Sequence, residues 1–128
     1  MSKCDLFYRK NILFIVHDWS NIDDNVGGTT LHCLDLIQAL RTEYNVHVLA
    51  PEGNIYKVHS YFENDEEILK FNRIHNNAGL TNLYDKDYGK LVEKIIDGLN
   101  IDIIHIHHMI GHYFDIVDVA KEKKLKII

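Results

Sequence analysis

The sequence predicts an α/β domain built on an open, mainly parallel sheet with a β-hairpin set into it. Three observations carry this. Residues 12–16 (Ile-Leu-Phe-Ile-Val) and 101–107 (Ile-Asp-Ile-Ile-His-Ile-His) are apolar runs of strand length without regular polar alternation. Such runs belong to parallel strands covered on both faces, where neither side meets water. The first is followed by a polar stretch, and both lead into an amphipathic helical pattern, the order of a βαβ unit. Between them, the β-prone segments 55–62 and 68–74 flank the turn-like Glu63-Asn64-Asp65-Glu66. Their polar content places that hairpin at a sheet edge or gives it one wet face.

The elements follow in order. After residues 12–16 a polar stretch rich in Asp and Asn runs to Val26, and Gly27-Gly28-Thr29-Thr30 opens a helix reaching about Arg41. In it Leu31, Leu34, Ile37 and Leu40 recur at near-helical spacing, widened by Cys33 and Leu36. Residues 45–50 form the next strand, which Pro51 and Gly53 should close. Residues 76–82 are a loop by composition. A second helix begins at Asp85, where Tyr88, Leu91, Val92, Ile95, Ile96 and Leu99 make a core-facing stripe, and Gly98 and Asn100 stop it. A third spans about 112–123, with Tyr113, Ile116, Val117 and Ala120 inward. Residues 125–128 open one more strand. A strand that starts on the last residues leads us to expect a longer protein, of which 1–128 is one Rossmann-like domain.

The formal net charge of -5 speaks against a nucleic-acid partner, since neutralising phosphates needs a basic surface. The basic run 121–126 is broken by Glu122 and Leu125 and suits a solvated helix end. Cys4 and Cys33 have neither disulfide nor metal-knuckle spacing, which fits a reducing compartment. No apolar run approaches the ~20 residues that span a bilayer, and residues 1–11 are too polar for a signal peptide. The expected location is the cytoplasm, with the inner face of the membrane as a place of peripheral association.

Two motifs carry chemistry. Glycines at a helix start let a ligand approach unpaired backbone N–H groups without a Cβ in the way. Gly27 and Gly28, followed by Thr29 and Thr30, meet that need for a phosphate. The spacing is neither a dinucleotide fingerprint nor a P-loop, and the pair also reads as a plain turn into a helix. The second motif is histidine: His105, His107, His108 and His112 crowd one stretch, and His17 sits with Asp18 and Trp19 at the end of the first strand. His105 and His107 share one face of a strand and His108 takes the other. Three readings stay open: sheet packing, hydrogen bonding to a hydroxyl-rich ligand by His107 and His108, or a metal held by His105 and His107 with His112 or Asp18. His32, His47, His59 and His75 look ordinary.

Three segments together resemble the amino-terminal domain of the retaining glycosyltransferase family 4, which has the two-domain GT-B fold. They are residues 12–17, residues 27–40 with Gly27-Gly28-Thr29-Thr30-Leu31-His32, and Asp102-Ile103-Ile104-His105-Ile106-His107-His108. Residues 46–51 and 115–121 continue the likeness, which is loose between 54 and 82. The resemblance implies sugar transfer from a nucleotide-sugar co-substrate to a saccharide or lipid-linked acceptor, with retention, no metal and no tightly bound cofactor. It implies that Gly27, Gly28 and Thr29 approach the donor diphosphate and that His17, Asp18, His107 and His108 border the acceptor. The donor-gripping glutamate pair would belong to a carboxyl-terminal domain, so residues 1–128 alone should be inactive. The alternatives are a metal-dependent hydrolase built on His105 and His107, and a stand-alone flavodoxin-like binding module. A receiver domain fits poorly, because its phospho-acceptor Asp and late Lys do not fall at strand ends here.

Overall fold

Residues 9–19, 28–72 and 83–128 are described by a computed structural model. Strand β1 (Lys10–Ile15) lies inside a six-stranded sheet of order β4-β3-β2-β1-β5-β6. It pairs in parallel with β2 (Tyr44–Glu52) and β5 (Ile103–Ile106). Ile12, Leu13, Phe14 and Ile15 are all buried, which is why the run shows no polar alternation. β6 (Lys126–Ile127) extends the parallel part beyond β5.

Helix α1 (Gly28–Leu40) covers one face of the sheet. Its Cys33 and Ile37 pack with Ile12, Phe14, Val16, Val46 and Val48. Helices α2 (Lys86–Gly98) and α3 (Asp115–Glu122) cover the other, joining Leu13, Ile15, Leu49 and Ile104 to Val92, Ile96, Ile116 and Ala120. The alternation along β1 thus feeds two cores, one per face.

β3 (Ile55–Tyr61) and β4 (Glu66–Asn72) are antiparallel to β2 and to each other, so the expected hairpin is there and forms the sheet edge. β4 is exposed almost throughout, and Glu66, Glu67 and Lys70 discourage pairing with another chain. Its turn is Phe62 to Asp65, closed by a 2.9 Å backbone bond. The last two residues of the expected second hairpin segment, Arg73 and Ile74, and the expected loop 76–82 lie outside the described residues.

β2 does not stop at Pro51. It continues to Glu52, with Pro51 opposite Tyr56, and turns through Gly53 (φ 60) straight into β3. The Leu49 carbonyl accepts from Val16 N, so the backbone polar groups of residues 49 and 51 share the β1 side. Paired β1 ends opposite Leu49, so the donor that proline lacks is not missed. α2 starts where its cap predicts: Asp85 accepts from Tyr88 N at 3.0 Å. Asn100 ends it in the left-handed region (φ 53), with Ile101 N donating to the Ile96 carbonyl.

At the amino-terminal end of the sheet a polar network closes the fold. Asn11 Oδ1 accepts from Asn45 Nδ2 and His47 Nε2, and His47 Nδ1 lies 2.6 Å from Ser60 Oγ. Burial pushes the His47 pKa down to about 4.

Candidate functional site

From β1 the chain crosses by α1 to β2 on one side, whereas β5 leads by α3 to β6 on the other. The order therefore reverses between β1 and β5. In an open α/β sheet, ligands settle outside the carboxyl ends of the strands at such a point. His17 and Asp18 follow the end of β1, and His107 and His108 follow the end of β5.

The four residues are held by the backbone ends around them. His107 N and His108 N both donate to the Ile15 carbonyl, at 2.9 and 3.1 Å, so the loop turns over the end of β1. β5 accordingly stops at Ile106, one residue short of the expected end. His17 and His108 stack with ring centroids 4.3 Å apart. His107 takes the opposite face, packing on His105 at 4.0 Å and Phe14 at 4.5 Å. The structure thus pairs His17 with His108, leaves Asp18 exposed beside them, and sets His107 apart on the α1 side.

His32, which looked ordinary in sequence, stands 6.2 Å from the His107 ring and belongs to this cluster. Gly28 lies four residues before His32, hence on the same face of α1 one turn nearer its start. Gly28 is exposed, and among the described residues a Cβ there would meet nothing within 4 Å. Gly27 and the Thr29 side chain lie outside the described residues.

Two buried ring nitrogens at the site, His17 Nδ1 and His107 Nε2, have no hydrogen-bond partner among the described residues. Buried polar atoms are ordinarily satisfied, so such atoms point to a ligand or water. Burial pushes the His107 pKa down to about 4, helped by His105 and His32. The ring is neutral near pH 7, with one nitrogen to donate and one to accept. His105 is lowered in the same direction, chiefly by burial.

Residues 107–114 form a loop, so α3 starts at Asp115 and not near His112. Gly111 is left-handed (φ 87) and lies against Pro51, and its carbonyl accepts from Tyr56 OH at 2.6 Å. His112 is buried, with Nε2 2.6 Å from the Val16 carbonyl and Nδ1 2.7 Å from Tyr88 OH. Both ring nitrogens being engaged, His112 cannot serve as the metal ligand considered above. Among the described residues no three His, Cys, Asp or Glu side chains are grouped to hold a metal ion. In the core on the α1 side, buried Trp19 donates to Tyr61 OH at 2.9 Å and so anchors the segment that carries His17 and Asp18. Periodicity singles out neither Trp19 nor Gly111. A lone tryptophan in a polar stretch and a lone glycine after a strand are the available signals.

The sequence profile of Glycosyltransferase Family 4 matches residues 26–128. The chain belongs to glycosyltransferase family 4. The match takes in α1, the histidine-bearing end of β5 and the loop to α3. No curated protein and no solved structure matches. The fold of this glycosyltransferase domain, a mixed α/β open sheet with most strands parallel, is that of a Rossmann-like GT-B half. No helix among the described residues is long and apolar enough to cross a membrane.

Proposed function

We propose that this domain forms the acceptor side of a retaining transferase that moves a hexosyl group from a nucleotide-sugar to a saccharide or glycolipid. A second, carboxyl-terminal domain of the same protein supplies most of the donor site, and this domain alone is inactive. The observation that carries the reading is the crevice at the reversal of strand order. There a glycine with no described atom within 4 Å of its Cβ position begins a helix beside histidines whose buried nitrogens lack partners among the described residues. The start of α1 offers unpaired N–H groups and a partial positive charge to the donor diphosphate, with Gly27, Gly28 and Thr29 closest. His17, Asp18 and His108 face acceptor hydroxyls. His107, on the α1 side, stands between the two substrates. No metal and no tightly bound cofactor enters this scheme.

Ile110, whose N–H donates to His108 Nδ1, lines one pocket with Leu83 and Phe114, and Tyr84 packs against Phe114; all four are exposed and form an apolar rim. That rim supports an acceptor with an apolar carrier, and thus work at the inner face of the membrane.

The test is Gly28→Val in the full-length enzyme, with release of nucleoside diphosphate followed across a panel of nucleotide-sugars. Because a Cβ at Gly28 meets no atom of the described residues within 4 Å, folding stability should change little while turnover falls at least about tenfold, or ~1.4 kcal/mol. Undiminished turnover would remove the glycine turn from the site.

A further inference from the structure

We propose that His112 is a positioning residue: its ring straps the end of β1 to the 107–114 loop and thereby fixes His17 against His108. The inference rests on reading that crevice as the transferase site.

A carbonyl oxygen only accepts, so His112 Nε2, 2.6 Å from the Val16 carbonyl, carries the ring proton. In the neutral ring Nδ1 is then bare and accepts from Tyr88 OH at 2.7 Å. Burial and the neighbouring Tyr56 raise the Tyr88 pKa well above the ordinary phenol value, so that hydroxyl keeps its proton. Each ring nitrogen thus has one partner of fixed polarity, which selects one tautomer and one orientation.

The strap acts where the site needs it. Val16 immediately precedes His17. Loop residues 107 and 108 hold the Ile15 carbonyl through their backbones, and His112 holds the next carbonyl through its side chain, across 96 residues of sequence. Two consecutive carbonyls at the end of β1 are therefore set by the loop that carries His108. The loop is itself fixed from beneath, since Tyr56 OH holds the Gly111 carbonyl. Without the His112 bond the buried Val16 carbonyl has no partner among the described residues, and the peptide leading to His17 is free to turn toward another donor.

The decisive measurement is NMR of the full-length protein with labelled histidines. In the wild type, His112 should show the Nε2–H tautomer and a slowly exchanging ring proton. A His112 with the Nδ1–H tautomer, or with a fast-exchanging ring proton, overturns the strap without any variant. His112→Phe keeps an aromatic ring between Tyr56 and Tyr88 but cannot donate, so the ring signals of His17 and His108 should move together. In His112→Gln the amide can still donate to Val16, and those signals should return toward wild type. Signals unmoved in a folded His112→Phe, or moved equally in both variants, refute positioning. Where transfer can be assayed, kcat/KM should fall about 10- to 100-fold in His112→Phe and recover in the Gln variant. Absence of transfer from every donor tried would fail the transferase reading alone, since the tautomer and the His17–His108 signals are read without substrate.

Discussion

Gly111→Ala puts a methyl group where the structure leaves no room for one. The Cβ would stand 2.5 Å from Pro51 Cγ and 3.4 Å from Pro51 Cβ, on a residue with φ 87. A left-handed backbone costs an L-residue about 1–2 kcal/mol. Forcing a methyl into a filled site costs about 1–3 kcal/mol, and a proline ring inside a strand cannot swing aside as a long flexible side chain would. Together these predict a loss of about 2–5 kcal/mol in urea unfolding followed by circular dichroism. Whatever relief occurs must come from the loop shifting by about 1 Å, and a shift of that size at a site can lower a rate by ~100-fold. The loop carries His107, His108 and His112, so turnover should fall as well, even at a temperature where the variant is fully folded. Gly28→Ala is the control: among the described residues its methyl meets nothing within 4 Å, and its unfolding midpoint should not fall. A Gly111→Ala variant within ~0.5 kcal/mol of wild type, with normal turnover, would refute the packing argument.

Two further predictions concern stability. His47 has a folded pKa of about 4 against an ordinary 6.5, so the unfolded chain binds more protons between those values and stability falls with acidity. Its contribution is complete above pH 6.5 and lost as pH falls toward 4, which amounts to about 2 kcal/mol by pH 5. Urea unfolding at pH 7.5 and 5 should show this, and His47→Gln should flatten the slope; an unchanged slope would mean that folding does not shift the His47 pKa. His107 acts in the same direction, but solvent weakens its share because the ring is only half-buried. Asp85→Ala should cost about 1 kcal/mol by removing the cap on Tyr88 N, read as a lower thermal midpoint, and no change would show that the cap bond is idle.

Much of the fold was legible along the chain, because burial on both faces and helical periodicity leave their marks within a dozen residues. The runs ending in Val16 and, one residue too far, His107, the stripe from Tyr88 to Leu99 and the Asp85 cap all follow from local pattern. So does the placing of His17, Asp18, His107 and His108 at strand ends, since in an α/β sheet the end of a strand is where chemistry is carried. Tertiary structure decided what depends on partners far away in sequence. Pro51 looked like a stop, and it is tolerated only because β1 has already ended beside it. His107 and His108 are neighbours in the chain, yet opposite sheet faces send them to His32 and to His17. His112 had the composition of a ligand or a helix start, and a carbonyl 96 residues away made it a strap. Local propensity reports on a residue's own turn or strand, whereas a side chain's role is set by which groups the closed sheet brings within hydrogen-bond reach of it.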